Sequence, residues 1–148
     1  MSPRPYLIDF LRKMKEFYEI FIFSSLKFDL TQSIIDVLDP KQELIDGFLT
    51  INNCLLTNEG NIIKPLALIK NRDLKNMVIV TSSIECCYLN LENGIPIKPW
   101  NNTNDDKELK FLMNYLTDAA NIDDLREHNV RNLKLQKLIS ISEHDLKI

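Results

Sequence analysis

A chain of 148 residues with 45% hydrophobic and 26% charged residues has a globular composition and enough length to bury one substantial core. Its formal net charge of -3 supplies no basic field for nucleic acid and mildly favours cationic partners. No run of about 18 apolar residues marks a membrane span, and the opening Met1-Ser2-Pro3-Arg4-Pro5-Tyr6 is neither a signal peptide nor an Arg/Ser-rich transit sequence.

Leu7, Phe10, Leu11, Met14, Phe17 and Tyr18 recur at helical spacing, with Pro5 near the first turn, where its missing N–H is harmless. Residues 20–23 are apolar without alternation, the pattern of a strand buried on both faces, and they open into Ser24-Ser25. From Leu30, the positions Ile34, Val37 and Leu38 predict a second helix that Asp39-Pro40 ends, because the residue before proline avoids helical geometry. Residues 48–51, 54–56 and 62–63, with the turn Asn58-Glu59-Gly60, predict a small antiparallel insertion closed by Lys64 and Pro65.

Met77-Val78-Ile79-Val80 predicts another strand buried on both faces, stopping at Thr81-Ser82-Ser83. Residues 84–89 predict a short helix, and Asn93-Gly94 a turn into Ile95-Pro96-Ile97, where the proline argues for a sheet edge. Asp105-Asp106 begins a helix whose Leu109, Leu112, Met113 and Leu116 face inward, the two acids sitting at its positive end. From Ile122, Leu125, Val130, Leu133, Leu138 and Ile139 continue as mostly helical chain, and residues 134–148 form a polar tail that frays. No repeat, glycine-rich linker or low-complexity tract divides the chain, so residues 1–148 read as a single domain.

The order of elements is that of an α/β fold with a small parallel sheet. Ligands of such sheets bind outside the carboxyl ends of the strands, and there this chain offers only the hydroxyls of Thr81, Ser82 and Ser83. Neutral hydroxyls neither hold a divalent cation as carboxylates do nor act as general acids near neutral pH. Cys54, Cys86 and Cys87 are odd in number and lack metal-type spacing, and an adjacent pair bridges only with strain. They read as packed or half-exposed thiols, a redox role being the lesser alternative. His128 and His144 read as surface residues without a triad or metal set.

Four stretches occur in the order of one family: Arg4-Pro5 before a helix; residues 18–25; Lys64 ahead of Asn71-Arg72-Asp73-Leu74; and residues 92–100 ending in Pro99-Trp100. To about Leu133 the chain resembles the phosphatases acting on the C-terminal domain of RNA polymerase II, a branch of the haloacid-dehalogenase superfamily. Leu38-Asp39-Pro40, Ser24-Ser25 and Pro99-Trp100-Asn101 followed by Asp105-Asp106 look more like the presequence-receptor subunits of the mitochondrial inner-membrane translocase within that branch.

The resemblance implies a dehalogenase-like (Rossmannoid) parallel sheet flanked by helices, with the antiparallel insertion. It also implies a relic anion site in which Ser24 takes the phosphate-anchoring hydroxyl position and Lys64 that of the neutralising lysine, beside Thr81 and Ser82. Thr81 stands where the enzymes carry a metal-binding aspartate. Their two-aspartate nucleophile strand falls before Arg4, so the N-terminal central strand, between residues 20–23 and 77–80, is missing here. Those two strands must then pair directly, accept a substitute segment, or belong to a longer protein. Phosphoaspartate chemistry needs two carboxylates and Mg²⁺, so no catalytic residue, metal or cofactor is expected.

The function implied is a non-catalytic receptor domain that binds presequence-bearing precursor proteins and other inner-membrane translocase subunits, on the intermembrane-space side of the inner membrane. Phe48, Leu55 and Ile62 of the insertion, with Trp100, Asp105 and Asp106, are the candidate contacts for a basic amphipathic helix. Each has a plainer reading as well: Lys64 as a solvated strand end, Trp100 as core packing, and the two acids as a helix-dipole feature. The functional alternatives are a truncated or inactive serine/threonine phosphatase and a degenerate scaffold subunit of a larger complex.

Overall fold

The computed structural model describes residues 2–135. Expectations for Leu138, Ile139, His144 and the rest of the 136–148 tail lie outside the described residues. Two compact units are present among the described residues, one running to Asn52 and including Lys98–Asn121, the other Asn53–Ile97 with residues 122–135.

The first unit contains helix α1 (Leu7–Lys15), strand β1 (Phe21–Phe23), helix α2 (Phe28–Leu38), strand β2 (Gly47–Leu49) and helix α3 (Glu108–Ala119). α1 packs on α3, with Leu11 and Met14 buried on one helix and Leu109, Leu112 and Leu116 on the other. The Tyr18 hydroxyl donates to the Leu116 carbonyl at 2.6 Å. β1 and β2 pair in parallel, with Ile22 opposite Phe48. Residues 48–51 are therefore not part of an antiparallel insertion: α2 is the crossover that a parallel pair requires, so the strand after it returns alongside β1.

α2 stops at Leu38, as Asp39-Pro40 predicts, but it buries Thr31 and Ile35 and leaves Ile34 and Val37 exposed, Val37 at 81%. A helix apolar on two faces does not reveal by periodicity which face is covered. Beyond it, Asp39 accepts backbone N–H bonds from Glu43, Leu44 and Ile45 at 2.8–2.9 Å. α3 also begins later than predicted. Asp105 and Asp106 precede it, and Glu108 is the acid of its first turn.

The second unit holds the antiparallel hairpin β3 (Leu55–Leu56) and β4 (Ile62–Ile63), the parallel pair β5 (Ile79–Thr81) and β6 (Gly94–Pro96), and helix α4 (Leu125–Leu133). Between β5 and β6 the predicted short helix is a 3₁₀ segment, Ile84–Asn93, kinked at Asn90. It runs directly into β6, so Asn93-Gly94 is not a turn. Asn93 is buried, and its amide donates to the carbonyls of Leu74 at 2.6 Å and Met77 at 2.9 Å. Gly94 serves close packing instead: a Cβ there would lie 3.1 Å from the Leu91 carbonyl oxygen and 3.2 Å from Ile84 Cδ1.

Among the described residues each of the three sheets has two strands, and β1 and β5 belong to different sheets. Residues 20–23 therefore do not pair directly with residues 77–80.

Candidate functional site

The carboxyl end of β5 is knit together locally. Thr81 Oγ1 accepts the Ser83 backbone N–H and donates to the Ser83 carbonyl, both at 3.0 Å, which folds Thr81-Ser82-Ser83 into a tight turn. Ser83 Oγ donates to Glu85 Oε2 at 2.7 Å, while Ser82 is exposed. The first turn of the 3₁₀ segment then brings Cys86 Sγ within 3.3 Å of Thr81 Oγ1 and 3.7 Å of Cys87 Sγ. Lys64 follows β4 and donates its backbone N–H to the Cys86 carbonyl at 2.8 Å.

These groups set the thiol electrostatics. The Cys87 thiol as a hydrogen-bond donor lowers the Cys86 pKa despite burial, with help from the Thr81 hydroxyl and the Lys64 charge. Cys87 is pushed the other way by its role as donor and by burial. Burial also raises Cys54, against the pull of Lys64. Lys64, Thr81 and Ser82 of the predicted anion site thus share the second unit with a thiol cluster that sequence reasoning set aside as packing. The signal was available: Cys86 lies only five residues beyond a strand-end hydroxyl, within one tight turn. Ser24, the remaining member, belongs to the first unit, where its Oγ accepts the Leu26 N–H at 3.0 Å.

The candidate peptide contacts are also divided between the units. On the hairpin, Leu55 pairs with Ile63 and Leu56 with Ile62. Ile63 is fully buried, whereas Leu55 is 42% and Leu56 70% exposed. Thr57 closes the turn, its hydroxyl accepting the Asn61 N–H at 3.0 Å, and Gly60 adopts φ +88. Successive residues of a strand point to opposite faces, so Leu55 shares the face of Ile63 and Leu56 that of Ile62, and both leucines stay exposed although Ile63 is buried.

Phe48 belongs to the first unit, its ring tilted against Phe28 at 5.3 Å between centroids. Trp100 is half-buried, with its indole N–H held by the Thr103 carbonyl at 3.0 Å. Asp106 is gripped by Arg4, which donates to both carboxylate oxygens at 3.0 and 2.8 Å and to the Lys98 carbonyl at 2.8 Å. This guanidinium, with the Glu108 N–H, holds Asp106 below the usual carboxylate range against the effect of burial. Its charge is compensated, while Asp105 remains exposed.

Among the described residues no group of three or more His, Cys, Asp or Glu side chains is arranged to hold a metal ion, and no helix is long and apolar enough to cross a membrane.

Residues 1–126 match the family model described as NLI interacting factor-like phosphatase. The chain is 33% identical over 137 residues to the CTD small phosphatase-like protein 2 of Dictyostelium discoideum, covering 93% of this chain and 24% of that protein. It is 32% identical over 159 aligned residues to the mitochondrial import inner membrane translocase subunit TIM50 of Candida glabrata, covering 99% of this chain and 32% of the relative. The fission yeast RNA polymerase II CTD phosphatase Fcp1, solved with beryllium fluoride, superposes with a TM-score of 0.57 at 17% identity, over 97% of this chain and 46% of that one. The fold is thus that of an Fcp1-like dehalogenase domain, and the chain spans a quarter to a third of the length of these two curated relatives.

Proposed function

This chain belongs to the NLI interacting factor-like phosphatase family, and we propose that within it the chain is a non-catalytic receptor domain of a mitochondrial presequence translocase. In this role it binds basic amphipathic targeting helices and a translocase partner on the intermembrane-space side of the inner membrane, during import into the matrix. The observation that carries the proposal is the β3–β4 hairpin, whose Leu55 and Leu56 face solvent from a base locked by Ile63. Exposed leucines on this short hairpin suit the apolar face of an amphipathic helix, and the exposed Glu59 on its turn suits the basic face. The similarity to the TIM50 subunits supports the choice of partner class.

Thr81 supports the non-catalytic part. At the strand end where the resembling enzymes carry a metal-binding acid, it presents a neutral hydroxyl engaged with Ser83. Fluorescence titration with a labelled basic amphipathic presequence peptide tests the proposal: saturable binding that weakens with salt and ignores a scrambled peptide is expected, and its absence from a folded chain overturns it.

A second reading, protein serine/threonine phosphatase, is favoured by the family description and by the CTD phosphatase-like relative. Mg²⁺-dependent release of phosphate from a phosphoserine peptide by the purified chain, lost on removing Mg²⁺, would establish it. The scaffold alternative draws on the exposed Leu30, Ile34 and Val37 of α2.

A further inference from the structure

We propose that Cys86 and Cys87 form a two-thiol redox site at the carboxyl end of β5, oxidised by a hydroperoxide to a reversible vicinal disulfide. The two sulfurs are 3.7 Å apart, and the Thr81 hydroxyl lies 3.3 Å from Cys86 Sγ. They are also unequally placed: Cys86 is 5% exposed and Cys87 1%, so an oxidant little larger than water meets Cys86 first. The hydrogen bond from the Cys87 thiol, aided by the Thr81 hydroxyl and the Lys64 charge, favours the Cys86 thiolate against burial, and the thiolate is the form that reacts.

The Cys86 thiolate attacks one oxygen of the hydroperoxide. The S–O bond forms as the O–O bond breaks, and the departing oxyanion takes up a proton, leaving a sulfenic acid. Cys87 sulfur then attacks the sulfenic sulfur, the S–S bond replacing the S–O bond, and the Cys87 proton leaves with the hydroxide as water. Two thiols are oxidised and one hydroperoxide is reduced. Adjacent Cα atoms stand about 3.8 Å apart, closer than ordinary disulfides allow, so the product is strained and readily reduced by a dithiol. Its formation withdraws the Cys86 thiol from Thr81 and reshapes the segment that packs on β4 of the hairpin.

The test is mass spectrometry of the whole chain exposed to hydrogen peroxide while folded, then unfolded, alkylated and digested with trypsin. Both cysteines fall in the tryptic peptide Asn76–Lys107, since the Lys98–Pro99 bond resists trypsin. That peptide is expected to lose two hydrogen masses and to take no alkylating reagent, and dithiothreitol treatment is expected to restore both sites. In Cys87→Ala, Cys86 should stop at a sulfenic acid that dimedone traps. Should that variant not fold, the wild-type masses decide the matter alone. Two alkylated cysteines after peroxide, or a disulfide that includes Cys54, overturns the proposal.

Discussion

Asp39 closes α2 and turns the chain toward β2, a role that sequence reasoning assigned to the proline after it. Burial pushes its carboxyl up, but the N–H groups of Ile45, Leu44 and Glu43, with Lys15 nearby, together hold it below the usual range. A depressed folded pKa contributes stability that is present above the unfolded value of about 3.9 and lost as pH falls through the folded value. Asp39→Asn should therefore lower the thermal midpoint at pH 7, and the gap from wild type should narrow as pH falls toward 3; a gap independent of pH would contradict this. Gly60 presents a purely backbone case. Its φ is +88 and nothing lies within 4 Å of a Cβ there, so Gly60→Ala should cost about 1 kcal/mol in urea denaturation through conformation alone. The Asn58-Glu59-Gly60 turn was legible because its residue types carry their geometry with them. The Arg4–Asp106 pair was not: its members are far apart in sequence, and a guanidinium reads as solvated until its partner is located.

At the level of elements, local patterns performed well where one face dominates. α1 and α3 show their core stripes in the sequence, and Leu112→Ala should cost about 3 kcal/mol in chemical denaturation because it opens a cavity where α1 packs. α2 and β2 were misread for related reasons. Exposed Ile34 and Val37 give α2 an apolar face that periodicity cannot tell from a buried one, and the parallel pairing of residues 47–49 with β1 is a non-local choice that no window around them encodes. The hairpin was legible as an antiparallel pair, yet that Leu55 and Leu56 are exposed while Ile63 is buried required coordinates. Replacing both with aspartate should leave the urea midpoint within about 0.5 kcal/mol of wild type, since exposed sites seldom matter more, while weakening presequence-peptide binding by about tenfold or more. Unchanged affinity in a folded variant would remove the hairpin from the binding surface.

For the whole molecule, the fold class was readable from the alternation of apolar strands with helices, although β1 is only half-buried and Phe21 is exposed, and the family from four short stretches in register. What the sequence did not disclose was how the parts divide: β1 with β2 in one unit and β5 with β6 in the other, so that Ser24 and Lys64 lie in different units. The neutral Thr81 was legible at once, because a hydroxyl in place of a carboxylate changes the available chemistry whatever surrounds it. Its engagement with Ser83 and Cys86 required coordinates. The most direct measurement is the titration of the purified chain, and of its Leu55→Asp, Leu56→Asp variant, with a basic amphipathic presequence peptide at low and physiological salt. A receptor domain should saturate, weaken as salt rises, reject the scrambled peptide and depend on the two leucines. No saturable binding by a folded chain, together with Mg²⁺-dependent hydrolysis of a phosphoserine peptide, would contradict it and make this protein an enzyme.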